Sequence, residues 1–85
     1  MRQDSNKTGR VLAVDDEPRN IRILEELLEE HQLETASSGE ECLQMLETFV
    51  PDVVLLDVMM PGLDGYEVCR RIKSDTRLAS TKVLL

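Results

Sequence analysis

Eighty-five residues allow one small domain, and its charge of −7, with only Phe49 and Tyr66 aromatic, requires a core of Leu, Val, Ile and Met. The acidic balance argues against direct binding of nucleic acid or an anionic membrane surface, both of which call for a basic patch. No apolar run approaches the roughly 18 residues of a membrane span.

The opening residues, MRQDSNKTG, lack the apolar centre of a signal peptide and read as a disordered polar lead-in over 1–9. The domain is expected over 10–85, in the cytoplasm. RVLAV, residues 10–14, is a short apolar run that reads as a buried strand and ends in Asp15 and Asp16. Pro18 then suits a first helical turn, which has no use for the N–H it lacks. Ile21, Leu24, Leu27 and Leu28 recur at helical spacing to about His31, with Glu25, Glu26, Glu29 and Glu30 opposite them.

LETAS, residues 33–37, reads as a second strand. Ser38 and Glu41 have the spacing of a reciprocal cap, opening a helix with Cys42, Leu43, Leu46 and Phe49 inward that stops before Pro51. Residues 52–56 form a third strand, followed by Asp57 and a turn containing Pro61, Gly62 and Gly65. Asp64 and Glu67 offer another reciprocal cap, to a helix that turns Val68, Cys69 and Ile72 inward. After the polar loop SDTRLAST, the run KVLL starts a fourth strand. Strands alternating with helices predict an α/β fold: a parallel sheet with right-handed crossovers and helices on both faces.

Cys42 and Cys69 have no paired spacing, and with the lone His31 they form no recognisable zinc site. Both fall at apolar helix positions, as buried free thiols would. His31 near a helix end suits the dipole as an imidazolium; no general base or helical-bundle context marks it as a phosphocarrier. Neither a P-loop nor a dinucleotide-binding glycine pattern is present.

The carboxylates are more informative. Ligands of open parallel sheets gather at the carboxyl ends of the strands. If the first and third strands are neighbours, Asp15, Asp16 and Asp57 meet there, and a cation among them relieves their repulsion. Hard oxygen donors at an open edge suit Mg²⁺. A carboxylate on a rigid strand end beside that ion can attack phosphorus, which gives Asp57 a role as nucleophile. The Pro61–Gly62 turn would fold the following backbone back to offer the metal a carbonyl. Plainer roles compete. Asp15 or Asp16 can cap the helix beginning near Glu17, and Asp64 reads as a cap rather than a ligand. Asp57 has no helix immediately behind it to cap.

VLAVDDEPRNIRILEELL followed by PDVVLLDVMMPGLDGYEVCRRIK closely resembles the receiver domain of two-component response regulators, over about residues 10–85. The resemblance implies a flavodoxin-like fold. It implies that Asp57 accepts a phosphoryl group from the phosphohistidine of a sensor histidine kinase or phosphotransfer protein. Asp16 would bind Mg²⁺ directly, Asp15 through water, and the Met59 backbone carbonyl would complete the ligands with Asp57. Such a domain catalyses its own phosphorylation and slow dephosphorylation, and is a switch more than a turnover enzyme.

The family pattern continues with a Ser or Thr ending the fourth strand, a Lys ending the fifth, and two more helices. The sequence stops at Leu85, so the expectation is the N-terminal part of a receiver with strand order 2-1-3-4. The bare fourth strand would then invite self-association. Two other functions compete with phosphoacceptance. One is an interaction module that docks without switching. The other is a phosphohydrolase of the haloacid-dehalogenase type, which needs an acid two residues after its nucleophile, where this sequence has Met59.

Overall fold

A computed structural model describes residues 9–85. The polar lead-in expected over 1–9 lies outside the described residues apart from Gly9, whose N–H donates to His31 Nδ1 at 3.1 Å. His31 therefore takes part here as a hydrogen-bond acceptor, beyond the end of the first helix.

The elements alternate as expected: β1 (Arg10–Val14), α1 (Pro18–Leu27), β2 (Gln32–Ala36), α2 (Gly39–Met45), β3 (Val53–Leu56), α3 (Gly65–Lys73) and β4 (Lys82–Leu84). All pairings are parallel, in the order β2-β1-β3-β4. This is the flavodoxin-like arrangement, and its order reverses between β1 and β3. Val14 is in register with Ala36 on one side and Leu56 on the other. The residues that follow, Asp15 and Asp57, thus leave neighbouring strands side by side.

Strand alternation divides the apolar residues between two faces. Leu12, Val14, Val54 and Leu56 join Cys42 of α2, Leu46 just after it, and Val68 and Ile72 of α3 in the buried core. The other face belongs to α1, none of whose residues is buried. Ile21, Leu24 and Leu28 are half-buried, but Leu27, expected inward, is 72% exposed. Leu84 and Leu85 are also largely exposed beside this face, at the β4 edge. Periodicity alone could not separate Leu27 from its neighbours, because the stripe it belongs to is wider than the sheet surface that α1 covers.

Ser38 Oγ accepts from Glu41 N–H at 3.0 Å as expected, but the Glu41 carboxylate returns to Ser37, at 2.7 Å from its N and 2.9 Å from its Oγ. At α3, Asp64 accepts from Glu67 N–H at 3.0 Å, while the Glu67 carboxylate turns outward to Arg70 and Arg71. That second cap is therefore one-sided. The α2 helix stops at Met45 rather than running on to Phe49, whose ring instead lies under the Arg10 guanidinium at 4.7 Å. Cys42 is buried, and burial pushes its thiol up to about 12, while Cys69 is only half-buried.

The segment expected as a polar loop after α3 contains a short 3₁₀ turn, Thr76–Leu78. Asp75 caps it through Arg77 N–H at 2.9 Å, and the Arg77 guanidinium reaches Leu46 O at 3.1 Å. These bonds let Leu78 sink into the core, and Thr81 is buried after it, donating its hydroxyl to Pro51 O at 2.7 Å. Thr81→Val keeps the shape of the side chain and strands that carbonyl. It is expected to cost about 1–3 kcal/mol in urea unfolding, and an unchanged midpoint would refute the role of this bond.

Candidate functional site

The parallel ladders run one residue past β1 and β3, β1 onto β2 and β3 onto β1, and deliver the acids. Asp15 N–H donates to Ala36 O and Asp57 N–H to Val14 O, both at 3.0 Å. One carboxylate oxygen from each of Asp15, Asp16 and Asp57 then lies within 4.8 Å of the others. Asp15 and Asp57 are half-buried, and Asp16 is exposed. Asp64, which caps α3, is not among them.

The three acids are differently occupied. Asp15 accepts from Glu17 N–H at 2.9 Å through Oδ1 and from Asn20 Nδ2 at 3.1 Å through Oδ2. It is not the helix cap; Glu17 takes that position, with a long 3.4 Å contact to Arg19 N–H. Asp57 accepts from Met59 N–H at 3.0 Å through Oδ1. The chain therefore folds back onto the Asp57 carboxylate immediately after it, two residues before the Pro61–Gly62 turn. Among the described residues, no donor engages Asp57 Oδ2 or either oxygen of Asp16.

Two shallow grooves flank the acids. One, of about 320 Å³, runs from Asp15 and Asp57 past Asn20 and Leu24 to Leu55 and Leu84. The other, of about 300 Å³, runs from Asp15 and Asp16 past Thr35 to Ser37 and Glu41. Among the described residues, no Lys or Arg lines either groove. The donor set is all hard oxygen, which suits Mg²⁺ and not a soft or nitrogen-loving metal.

Glu41, beside the second groove, is held below the usual carboxylate range by the Ser37 backbone bond and then by the Ser37 hydroxyl. A depressed folded value contributes stability that is present above the unfolded value and lost as pH falls through the folded one. The stability advantage of wild type over Glu41→Gln is therefore expected to hold at neutral pH and to shrink below pH 4.5. Parallel denaturant titrations of the two proteins check this; a difference that stays flat with pH would contradict it.

The loop from Asp57 to Asp64 is closely packed. A Cβ on Gly65 would lie 2.5 Å from Asp57 O and 2.7 Å from Val58 Cα, so α3 starts against the backbone of Asp57 itself. Gly62 has a φ of 75°, in the left-handed region that favours glycine. Over it lies the Glu40 carboxylate, which accepts from Leu63 N–H at 3.3 Å. Sequence reasoning named neither Asn20 nor Glu40. Asn20 reads as one more helix-surface residue and Glu40 as an ordinary acid in a first turn, so neither gave a local signal.

The arrangement of a doubly wound parallel sheet with three acids at its switch point defines a class of protein, and the comparisons agree with it. A family model described as the response regulator receiver domain matches residues 11–85. The chain belongs to that family. It is 44% identical over 80 residues to the response regulator PleD of Caulobacter vibrioides, covering 92% of this chain and 18% of PleD. It is 46% identical over 66 residues to the alkaline phosphatase synthesis transcriptional regulatory protein PhoP of Bacillus subtilis, covering 75% of this chain and 28% of PhoP. The chain thus spans under a third of these relatives. Among solved structures it resembles the signal receiver domain of a signal transduction histidine kinase from Syntrophus aciditrophicus, with a TM-score of 0.84 and 36% identity over 89% of this chain and 59% of that one. It also resembles the response regulator TrrA of Thermotoga maritima in complex with Mg²⁺–BeF, with a TM-score of 0.82 and 38% identity over 92% of this chain and 68% of TrrA.

Proposed function

We propose that this chain is a phosphoacceptor module that takes a phosphoryl group onto Asp57 from the phosphohistidine of a histidine kinase or phosphotransfer protein. The observation that carries this reading is the convergence of the Asp15, Asp16 and Asp57 oxygens within 4.8 Å at the carboxyl ends of paired strands. The Mg²⁺–BeF complex of the similar TrrA supports the same reading.

Mg²⁺ would be held by Asp16 and Asp57, by Asp15 through water, and by the Met59 backbone carbonyl. When bound, it supplies positive charge to the carboxylates and to phosphoryl oxygens. The roles of the chain's own groups follow from their hydrogen bonds. Asn20 and Glu17 N–H fix the Asp15 carboxylate, so Asp15 orients the site rather than swinging into it. Among the described residues, Asp16 keeps its oxygens available. Met59 N–H holds Asp57 Oδ1 and leaves Oδ2 as the nucleophile. In the transfer, an O–P bond forms at Asp57 as the P–N bond to the donor imidazole breaks. The bonding pair stays on the imidazole nitrogen, which takes up a proton. The product stays on the protein, so the chain would act as a switch and not as a turnover enzyme.

Incubating the chain with Mg²⁺ and acetyl phosphate and weighing it intact tests the reading. One phosphoryl increment that requires Mg²⁺ is expected; its absence would sink the proposal. A second reading, an interaction module that docks without switching, draws on the exposed Leu84 and Leu85 at the β4 edge. It predicts concentration-dependent self-association in sedimentation, with no mass increment.

A further inference from the structure

We infer that Glu40 is a positioning residue for the phosphoacceptor loop, gripping from α2 the turn that follows Asp57. This rests on the phosphoacceptor reading and adds to it a residue from outside the acid cluster and its two strands.

Three contacts converge on that turn. The Glu40 carboxylate accepts from Leu63 N–H at 3.3 Å, across 23 residues of sequence. A Cβ on Gly62 would sit 3.2 Å from Glu40 Oε2 and 3.7 Å from Oε1, so the carboxylate lies against a backbone whose glycine leaves it room. Gly39, one residue before, packs so closely that its own Cβ would lie 2.5 Å from Leu63 O and 2.8 Å from Val68 Cγ2. The start of α2 therefore touches both the N–H and the C=O of Leu63.

Between this grip and the acceptor the chain has little freedom. Met60 is buried in the core, and Met59 N–H is bonded to Asp57 Oδ1 at 3.0 Å. At the far end, Gly65 abuts the Asp57 backbone. Segment 57–64 is thus tied at Asp57, at Met60 and at Leu63. The third tie is the bond from Leu63 N–H to the Glu40 side chain, which comes from a different element. Removing it frees the stretch that carries the Met59 backbone beside Asp57. Glu40 itself acts as a hydrogen-bond acceptor here, so its charge is not what the loop requires.

Glu40→Ala and Glu40→Gln separate these roles, since glutamine keeps an acceptor oxygen and loses the charge. Mg²⁺ affinity is measured by NMR titration, and the rate of phosphorylation by acetyl phosphate from intact mass. Glu40→Ala is expected to weaken Mg²⁺ binding by about tenfold, the lower end for residues that orient metal ligands. It should slow phosphorylation, shift the Leu63 and Met59 amide resonances and leave the thermal midpoint nearly unchanged. Glu40→Gln should restore most of the affinity and rate. If Glu40→Ala matches wild type in affinity and rate, the inference fails and the phosphoacceptor reading stands. The inference also fails if Glu40→Gln loses as much as Glu40→Ala. If wild type neither binds Mg²⁺ nor gains the increment, the reading itself fails and the inference goes with it.

Discussion

Gly65→Ala is expected to lower the stability of the fold by about 3 kcal/mol, the upper end of overpacking costs. The added methyl would lie 2.5 Å from Asp57 O, 2.7 Å from Val58 Cα and 3.0 Å from Asp57 C. All three are backbone atoms, so no side-chain rotation relieves the contact, and either α3 or the acceptor loop must move. Alanine's better helix propensity, about 1 kcal/mol over glycine, offsets only part of this. A chain of 85 residues has roughly 4–13 kcal/mol of stability in all, so the loss is a large fraction of it. Since the displaced group is the peptide of Asp57, phosphoryl acceptance should fall in the fraction that remains folded. Urea unfolding, with a lowered midpoint and an unchanged slope, reports the first effect, and intact mass reports the second. A variant as stable as wild type would show that the close approach between α3 and Asp57 is absent in solution.

Asp57→Asn should abolish the phosphoryl increment altogether. An amide does not offer the nucleophilic oxygen of a carboxylate, and Asp15 and Asp16 are not placed to substitute, one being bonded through both oxygens and the other lying on an exposed loop. The same change removes one of three clustered negative charges, so the Mg²⁺-free variant should be no less stable than wild type. Its response to the metal should differ. At free Mg²⁺ of about 100 times the dissociation constant, binding to the folded state alone adds about 2.7 kcal/mol to wild type. The gain in Asp57→Asn should be clearly smaller at the same concentration. Thermal melts with and without Mg²⁺ measure both quantities. A residual increment in the variant would move the acceptor to another side chain, and an undiminished metal response would remove Asp57 from the ligand set.

These two substitutions probe opposite kinds of information. The case for Asp57 is legible in the chain itself, because a carboxylate directly after an apolar strand is costly unless the strand end is a site. The importance of Gly65 is not, because a glycine at the start of a helix has many uses. Only the path of the loop shows that its missing Cβ makes room for Asp57 O. Glu40 is similar: its neighbours in sequence explain it as a first-turn acid, while its partner lies 23 residues away.

By itself, the sequence determined the alternation of strands and helices, the two-sided character of the sheet and the acids at the strand ends. Each of these is a local property. Apolar period, turn chemistry and capping residues act within a few positions, so they can be read in order along the chain. That β1 lies between β2 and β3, and so that Asp57 stands beside Asp15 and Asp16, followed from the family resemblance and not from any local pattern, and the pairing of the strands bears it out. Tertiary structure alone decided that Leu27 faces outward, that the loop after α3 buries Leu78 and Thr81, and that Glu40 of α2 meets Leu63 N–H. These depend on pairing and packing between segments far apart in the chain. A side chain's environment there is set by whichever surface arrives opposite it, and nothing in its own neighbourhood records that.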